Sequence, residues 1–351
     1  MTLLNLFFLA LALWAGGGLQ TTAAQTSTTS SSAIAPKDGH PGADRSTVEW
    51  WLMRLHEAPR KRTYTGTLVV SNDAGAMSSA RIWHVCDGEQ QMERVETLTG
   101  PPRSTFRHDD DVVVFSSDSR VARVEKRESL GPFPNFLKAS ESAIPEFYSV
   151  RQIGRERVAG VDADIVHFVP RDKLRFGYRI WSEKNTGLAV KLQTLDPAGR
   201  VLEQAAFSEL QLDVPVKMEK LAQLMGRTDG YRLEKSEMVK TTAAAEGWSL
   251  GNPVPGFRPV NCFKRPASER SLRGEGTVQW VFSDGLATVS LFVESFDRQR
   301  HLQEGALAMG ATQTLTRRLG SKGDGGWWLT AVGEVPIQTL QAFAQGLERR
   351  R

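Results

Sequence analysis

The chain contains six histidines, and no two of them sit where local metal or nucleophilic chemistry would need them. His40, His56, His84, His108, His167 and His301 include no pair at i, i+2 or i, i+4, the spacings that bring two imidazoles to one face of a strand or helix. His84 and His167 fall in strand-like runs, where a hydrogen-bonded or solvent-facing imidazole is the common state. No Gly-x-Ser-x-Gly elbow presents a nucleophilic serine. The glycine-rich Gly320–Gly326 lacks the phosphate-loop spacing and a following helix. His108-Asp109-Asp110-Asp111 offers carboxylates for a cation, but three in succession on an extended chain point to alternate faces. A solvated turn before Val112 is the better reading. These residues give no reason to expect a catalytic set, a cofactor or a metal.

What remains is binding chemistry of two kinds. Leu68, Val70, Ile82, Phe115 and Ile180 are apolar strand residues, and they are candidates to line a cavity for acyl chains if their sheet is strongly curved. An ordinarily packed core would use the same residues. The second kind is cationic. Arg258, Lys264, Arg265, Arg270 and Arg273 lie within 16 residues that include a single acid, Glu269. The stretch reads as a Pro-interrupted loop beside Phe257 and Phe263. Arginine forks grip carboxylates and phosphates through paired hydrogen bonds. In a chain expected to be exported, this suggests an acidic peptide or a phosphorylated glycolipid and not nucleic acid, with plain solvated surface as the alternative.

These side chains must be positioned by elements the pattern makes visible. Ser46-Thr47-Val48-Glu49 has capping-box spacing, and Val48, Trp51, Leu52 and Leu55 then recur at helical intervals until Pro59. From Tyr64 to Leu212 the apolar period becomes two, with turn signals at Asn72–Gly75, Gly100–Pro102, Asn185–Gly187 and Asp196–Gly199. Phe176–Trp181, Leu188–Thr194 and Val201–Leu210 read as an antiparallel meander. Long successive strands with few helices predict a large curved antiparallel sheet, a half-barrel covered by helices, in the α+β class. Met218, Leu221, Ala222 and Met225 then mark a helix leading into a charged connector. A hairpin over Val278–Phe282 and Ala287–Val293, turned at Asp284-Gly285, predicts a smaller C-terminal α+β domain. Pro336 opens its last helix, with Ile337, Leu340, Phe343 and Leu347 inward.

The expected organisation is a signal peptide at 1–24 and a flexible Ser/Thr/Gly/Pro-rich tether at 25–45. A curved-sheet domain at 46–215, a helical connector at 216–246 and the small domain at 247–351 follow. Leu3–Ala15 is the apolar run of the signal, although its leading segment carries no Lys or Arg. Nothing after it approaches the roughly 18 residues of a membrane span, so the mature chain is not expected to cross a bilayer. Lys+Arg 44 against Asp+Glu 40 leaves +4 over 351 residues, too dilute for a dedicated nucleic-acid binder. Cys86 and Cys262 are the only cysteines, and one distant pair has no spacing signature; pairing across domains and two free thiols both stay open.

The chain resembles the RseB/MucB family, periplasmic negative regulators of the sigma-E (AlgU-type) envelope-stress response. The resemblance is densest in Glu146-Phe-Tyr-Ser-Val-Arg-Gln-Ile-Gly-Arg-Glu-Arg-Val-Ala-Gly160, Tyr178-Arg-Ile-Trp181, Thr186-Gly-Leu188 and Leu195-Asp-Pro-Ala-Gly-Arg-Val-Leu-Glu-Gln204. In the C-terminal part it rests on Val254-Pro-Gly-Phe257, Phe282-Ser-Asp-Gly-Leu286 and Val332-Gly-Glu-Val-Pro336. It implies a first domain similar to LolA-type lipoprotein carriers and a non-enzymatic periplasmic role. That role is to bind the periplasmic segment of an RseA/MucA-like anti-sigma factor, shield it from site-one proteolysis, and release it on sensing lipid, lipopolysaccharide or mislocalised lipoprotein. Self-association is implied as well. A periplasmic lipid or lipoprotein carrier is the alternative. Many of the matching residues lie at turns and hairpins, and no short family motif marks contact residues, so the resemblance assigns none.

Overall fold

The computed structural model describes residues 47–88, 90–126, 144–235, 238–265, 276–320 and 326–350. The expected signal peptide and tether lie outside the described residues, as do Arg270 and Arg273. The first helix, α1 (Val48–Glu57), is capped by Thr47, whose hydroxyl accepts the Trp50 amide at 3.1 Å. Such a cap contributes about 1 kcal/mol. Its buried stripe is Val48, Trp51, Leu52 and Leu55, and a short turn of 3-10 helix, Ala58–Lys61, carries Pro59 and ends it.

Strands β1 (Tyr64–Asn72), β2 (Met77–Cys86), β3 (Gln91–Thr97), β4 (Arg103–His108), β5 (Asp111–Ser116) and β6 (Val121–Lys126) form one antiparallel meander. A helical turn, α2 (Ile144–Phe147), leads into a second meander of β7 (Tyr148–Val158), β8 (Val161–Pro170), β9 (Gly177–Glu183), β10 (Ala189–Leu195) and β11 (Val201–Leu212). Pairing of β1 with β11, across a bulge at Thr67/Leu68, joins the two meanders. The helix α3 (Met218–Met225) follows, and β12 (Arg232–Lys235) adds parallel to β6. The result is an open 12-stranded sheet with β12 and β7 at its edges. A large sheet covered by helices was the expectation, and the sheet agrees with it.

A second sheet of seven strands runs in the order β13 (Val239–Lys240), β15 (Arg258–Arg265), β16 (Thr277–Ser283), β17 (Thr288–Ser295), β20 (Trp327–Gly333), β19 (Thr312–Leu319), β18 (Gly305–Met309). The helix α4 (Ile337–Gly346) buries Leu340 and Phe343 in the core that also holds Val289, Leu291, Leu329 and Ala331. Burying each of those two side chains is worth roughly 1.5–3 kcal/mol. A short pair, β14 (Trp248–Leu250) with β21 (Leu347–Arg349), closes that end. The Asp284-Gly285 hairpin is present as read, with Asp284 Oδ1 accepting the Leu286 and Ala287 amides at 2.9 and 2.8 Å.

Two readings change and one open point closes. The connector is not simply helical, because β12 extends the first sheet and β13 the second. The basic stretch begins as a strand, β15, and not as a loop. Its Pro259 is tolerated because β13 pairs only with Phe263 and Lys264, so β15 is an edge at Pro259, and the register shifts just after it. Cys86 and Cys262 are both free, one in each sheet, and the Cys86 thiol donates to the Arg60 carbonyl at 2.6 Å.

Candidate functional site

Strand alternation sorts the large sheet into two faces, and directly paired residues share a face. Reading across six strands, Val166, Ile180, Leu192, Ala205, Val70 and Ser78 stand in one row. Leu68 and Ile82 belong to the same face, packed with Tyr64, Val95 and Phe207. The α1 stripe lies over its other half, against Val166, Ile180 and Leu192. The opposite face carries Val85 and Met92 under Leu221 of α3, and Phe106, Val113 and Phe115 beneath Leu224, Met225 and Tyr231.

Four of the five cavity candidates, Leu68, Val70, Ile82 and Ile180, therefore share one apolar face, each no more than 7% exposed. Phe115 does not join them. Val112 and Val114 pair with Arg107 and Thr105 on the shared face, so Phe115, one residue on, points the other way. It packs edge-on against Tyr231 at 5.1 Å. Strand alternation alone cannot fix which face a short isolated run presents.

The apolar face ends in a buried polar row. Tyr64, His84, Glu93 and Arg107 are consecutive partners on β1, β2, β3 and β4. The Tyr64 and His84 rings stack at 4.8 Å. His84 Nε2 meets the Pro59 carbonyl at 2.7 Å, fastening the 3-10 turn to the sheet. Its Nδ1 stands 3.6 Å from Glu93 Oε1, and Arg107 Nε donates to Glu93 Oε2 at 3.3 Å. Burial by itself would raise the Glu93 carboxyl, but His84 and Arg107 bring it below the usual carboxylate range. His84 thus has a structural task, as expected of a strand histidine.

The second positioned feature is the seam between the two sheets, which the sequence does not announce. A second row crosses one end of the large sheet through Phe168, Tyr178, Thr194, Glu203 and Asn72. The smaller domain docks over this end. Leu286, from the β16–β17 turn, packs into the core beneath α1, and Leu174, from the β8–β9 loop, packs against the core of the smaller domain. Arg175 bolts the two together. It is 1% exposed and donates to Asp172, to Asp284 at 2.7 Å and to the Pro255 carbonyl. Its guanidinium also lies 4.0 Å from the Phe147 ring centre and 5.0 Å from that of Phe257. Thr339 of α4 donates to the Leu174 carbonyl at 2.7 Å. Gly256, at φ +79°, makes room, since a Cβ there would stand 2.1 Å from Arg175 Nη2.

The anionic-partner candidates are dispersed. Arg258 and Arg265 are exposed at the two ends of β15. Lys264 is already committed, with its ammonium 2.7 Å from Glu246 Oε2, which holds that carboxyl down against burial.

Similarity to one family runs along both domains of the chain. Residues 47–225 match the MucB/RseB N-terminal domain and residues 242–348 the MucB/RseB C-terminal domain. The sigma factor AlgU regulatory protein MucB of Pseudomonas aeruginosa is 28% identical over 305 residues, covering 87% of this chain and 92% of that protein. The sigma-E factor regulatory protein RseB of Haemophilus influenzae is 24% identical over 308 residues, covering 88% and 93%. A solved structure of the Pseudomonas aeruginosa MucA/MucB complex superposes with a TM-score of 0.68 at 25% identity, covering 86% of this chain and 99% of that one. A crystal structure of MucB in complex with periplasmic MucA gives 0.65 at 26% identity, covering 86% and 98%.

Proposed function

The chain belongs to the MucB/RseB family, and from that premise we propose that it is a periplasmic regulator that binds the periplasmic segment of a membrane anti-sigma factor. The observation that carries this reading is the match along both domains to a protein named as a sigma-factor regulator, whose solved structures include complexes with MucA. In this reading, bound regulator shields the anti-sigma segment from site-one proteolysis. Lipid or lipopolysaccharide on the face lined by Leu68, Val70, Ile82 and Ile180 releases it. No bond is made or broken in this cycle, and the chain acts by occupancy.

The seam supplies a physical route between two such guests. A ligand that displaces α1 or the residues beneath it acts on the core that also holds Leu286 of the smaller domain. By linkage, whatever the lipid does to peptide affinity, the peptide does equally to lipid affinity. We further propose that residues 1–24 direct export, that 25–45 tether the folded part, and that Arg258 and Arg265 meet an anionic partner.

The test is a pull-down of the full chain from envelope extract with mass spectrometry of bound protein and bound lipid. Co-purification of a membrane anti-sigma factor supports the regulator. Lipid that is handed to an acceptor, with no such partner present, supports a carrier instead.

A further inference from the structure

The domain seam buries a carboxyl that has no cation beside it among the described residues. Glu203, on β11, is 6% exposed, and its Oε2 has no hydrogen-bond partner. The β18–β19 turn of the smaller domain lies directly on it. A Cβ at Gly310, where φ is +59°, would stand 3.1 Å from Glu203 Oε2 and 2.8 Å from Asn72 Cβ. The Ala311 amide donates to the same carboxyl. Among the described residues, the charged groups that act on it are acidic, Glu334 just after β20 and Asp73 in the β1–β2 turn. Tyr178, two strands away on the same row, has a buried hydroxyl without a partner. An ionised carboxylate sealed in this setting would be costly.

We propose that Glu203 is a proton-operated latch between the two domains: its carboxyl is neutral while the β18–β19 turn covers it, and it ionises when the domains part. Burial, and then the facing Glu334, push the docked carboxyl up from its ordinary 4.5 to about 9. The sign follows from this rise. A group whose value is higher in the docked form stabilises docking fully below 4.5, and that contribution is lost as pH climbs through about 9. Within this window the docking equilibrium weakens about tenfold for each pH unit. Docking thus takes up one proton, whatever guest the two domains hold. The latch goes beyond the proposed function and does not depend on it.

Hydrogen exchange at the Ala311 amide of the full chain, corrected for intrinsic exchange, reads the opening directly. Between pH 6 and pH 8 the wild-type opening constant rises about 100-fold, while that of Val166 in the sheet interior stays flat. Glu203→Gln, the isostere of the neutral acid, keeps Ala311 protected and removes the pH dependence. A flat wild-type profile overturns the latch, as does a Glu203→Gln profile that keeps the wild-type slope. An unprotected Ala311 amide in Glu203→Gln also overturns it, because a neutral side chain of the same shape would then fail to dock. Glu334→Gln removes the facing charge and lowers the pH at which the slope levels off. An unchanged curve in that variant rules out the pairing.

Discussion

Replacing Arg175 with methionine removes the guanidinium and keeps an unbranched apolar stem against Phe147 and Phe257. The cost is set by what is left behind. Asp284 is 2% exposed, and it loses the only side-chain cation that donates to it among the described hydrogen bonds. Breaking a buried ion pair at one end costs about 3–5 kcal/mol, because the surviving charge is stranded. At roughly 2–4 °C per kcal/mol for domains of this size, melting falls by about 6–20 °C. Arg175→Met with Asp284→Asn removes both charges and recovers much of the loss, since Asn still accepts the Leu286 and Ala287 amides that Asp284 accepts now. Urea unfolding of the full chain, followed by tryptophan fluorescence, measures each variant and the double-mutant cycle. A single substitution costing under about 1 kcal/mol would refute the bolt. A double variant no better than Arg175→Met would show that stranded charge is not the cause.

Two further outcomes follow from the polar sites. Glu93 is held below the usual carboxylate range, so its stabilisation is complete above pH 4.5 and is lost as pH falls through the lowered value. Glu93→Gln therefore flattens the acid limb of the stability curve measured by urea unfolding, and an unchanged limb would remove Glu93 from acid sensitivity. Charge reversal at Arg265 and Arg270 weakens an anionic partner by about 0.2–1 kcal/mol per site, and wild-type affinity falls with added salt. Salt-independent binding that tolerates both reversals, measured by calorimetry, assigns that stretch to plain surface.

The sequence showed most clearly what depends on periodicity. Phe176–Leu210 reads as three strands because apolar residues alternate and Asn185–Gly187 and Asp196–Gly199 can only turn, and the strands fall there within a few residues. The α1 stripe and the Asp284-Gly285 hairpin were equally plain. Side chains whose meaning comes from the other domain were not. Arg171-Asp-Lys-Leu-Arg175 has the composition of a solvated loop, and nothing local says that Leu174 and Arg175 are inserted into a second core. Glu203 sits in an alternating strand, where a glutamate normally marks the solvent face; the turn at Gly310 covers it. The face of Phe115 is not legible, because a run of four apolar residues, Val112–Phe115, has no alternation to read. The strands β12 and β13, at four and two residues, are too short to carry a pattern.

In the proposed function one chain holds two guests, and filling one site loosens the other. The direct measurement is calorimetric titration of the full chain with the periplasmic segment of its membrane anti-sigma factor, with and without saturating lipopolysaccharide. A coupling of about 1–3 kcal/mol predicts affinity weakened about 5- to 150-fold, with the reciprocal titration giving the same factor. An affinity that lipopolysaccharide leaves unchanged would contradict it.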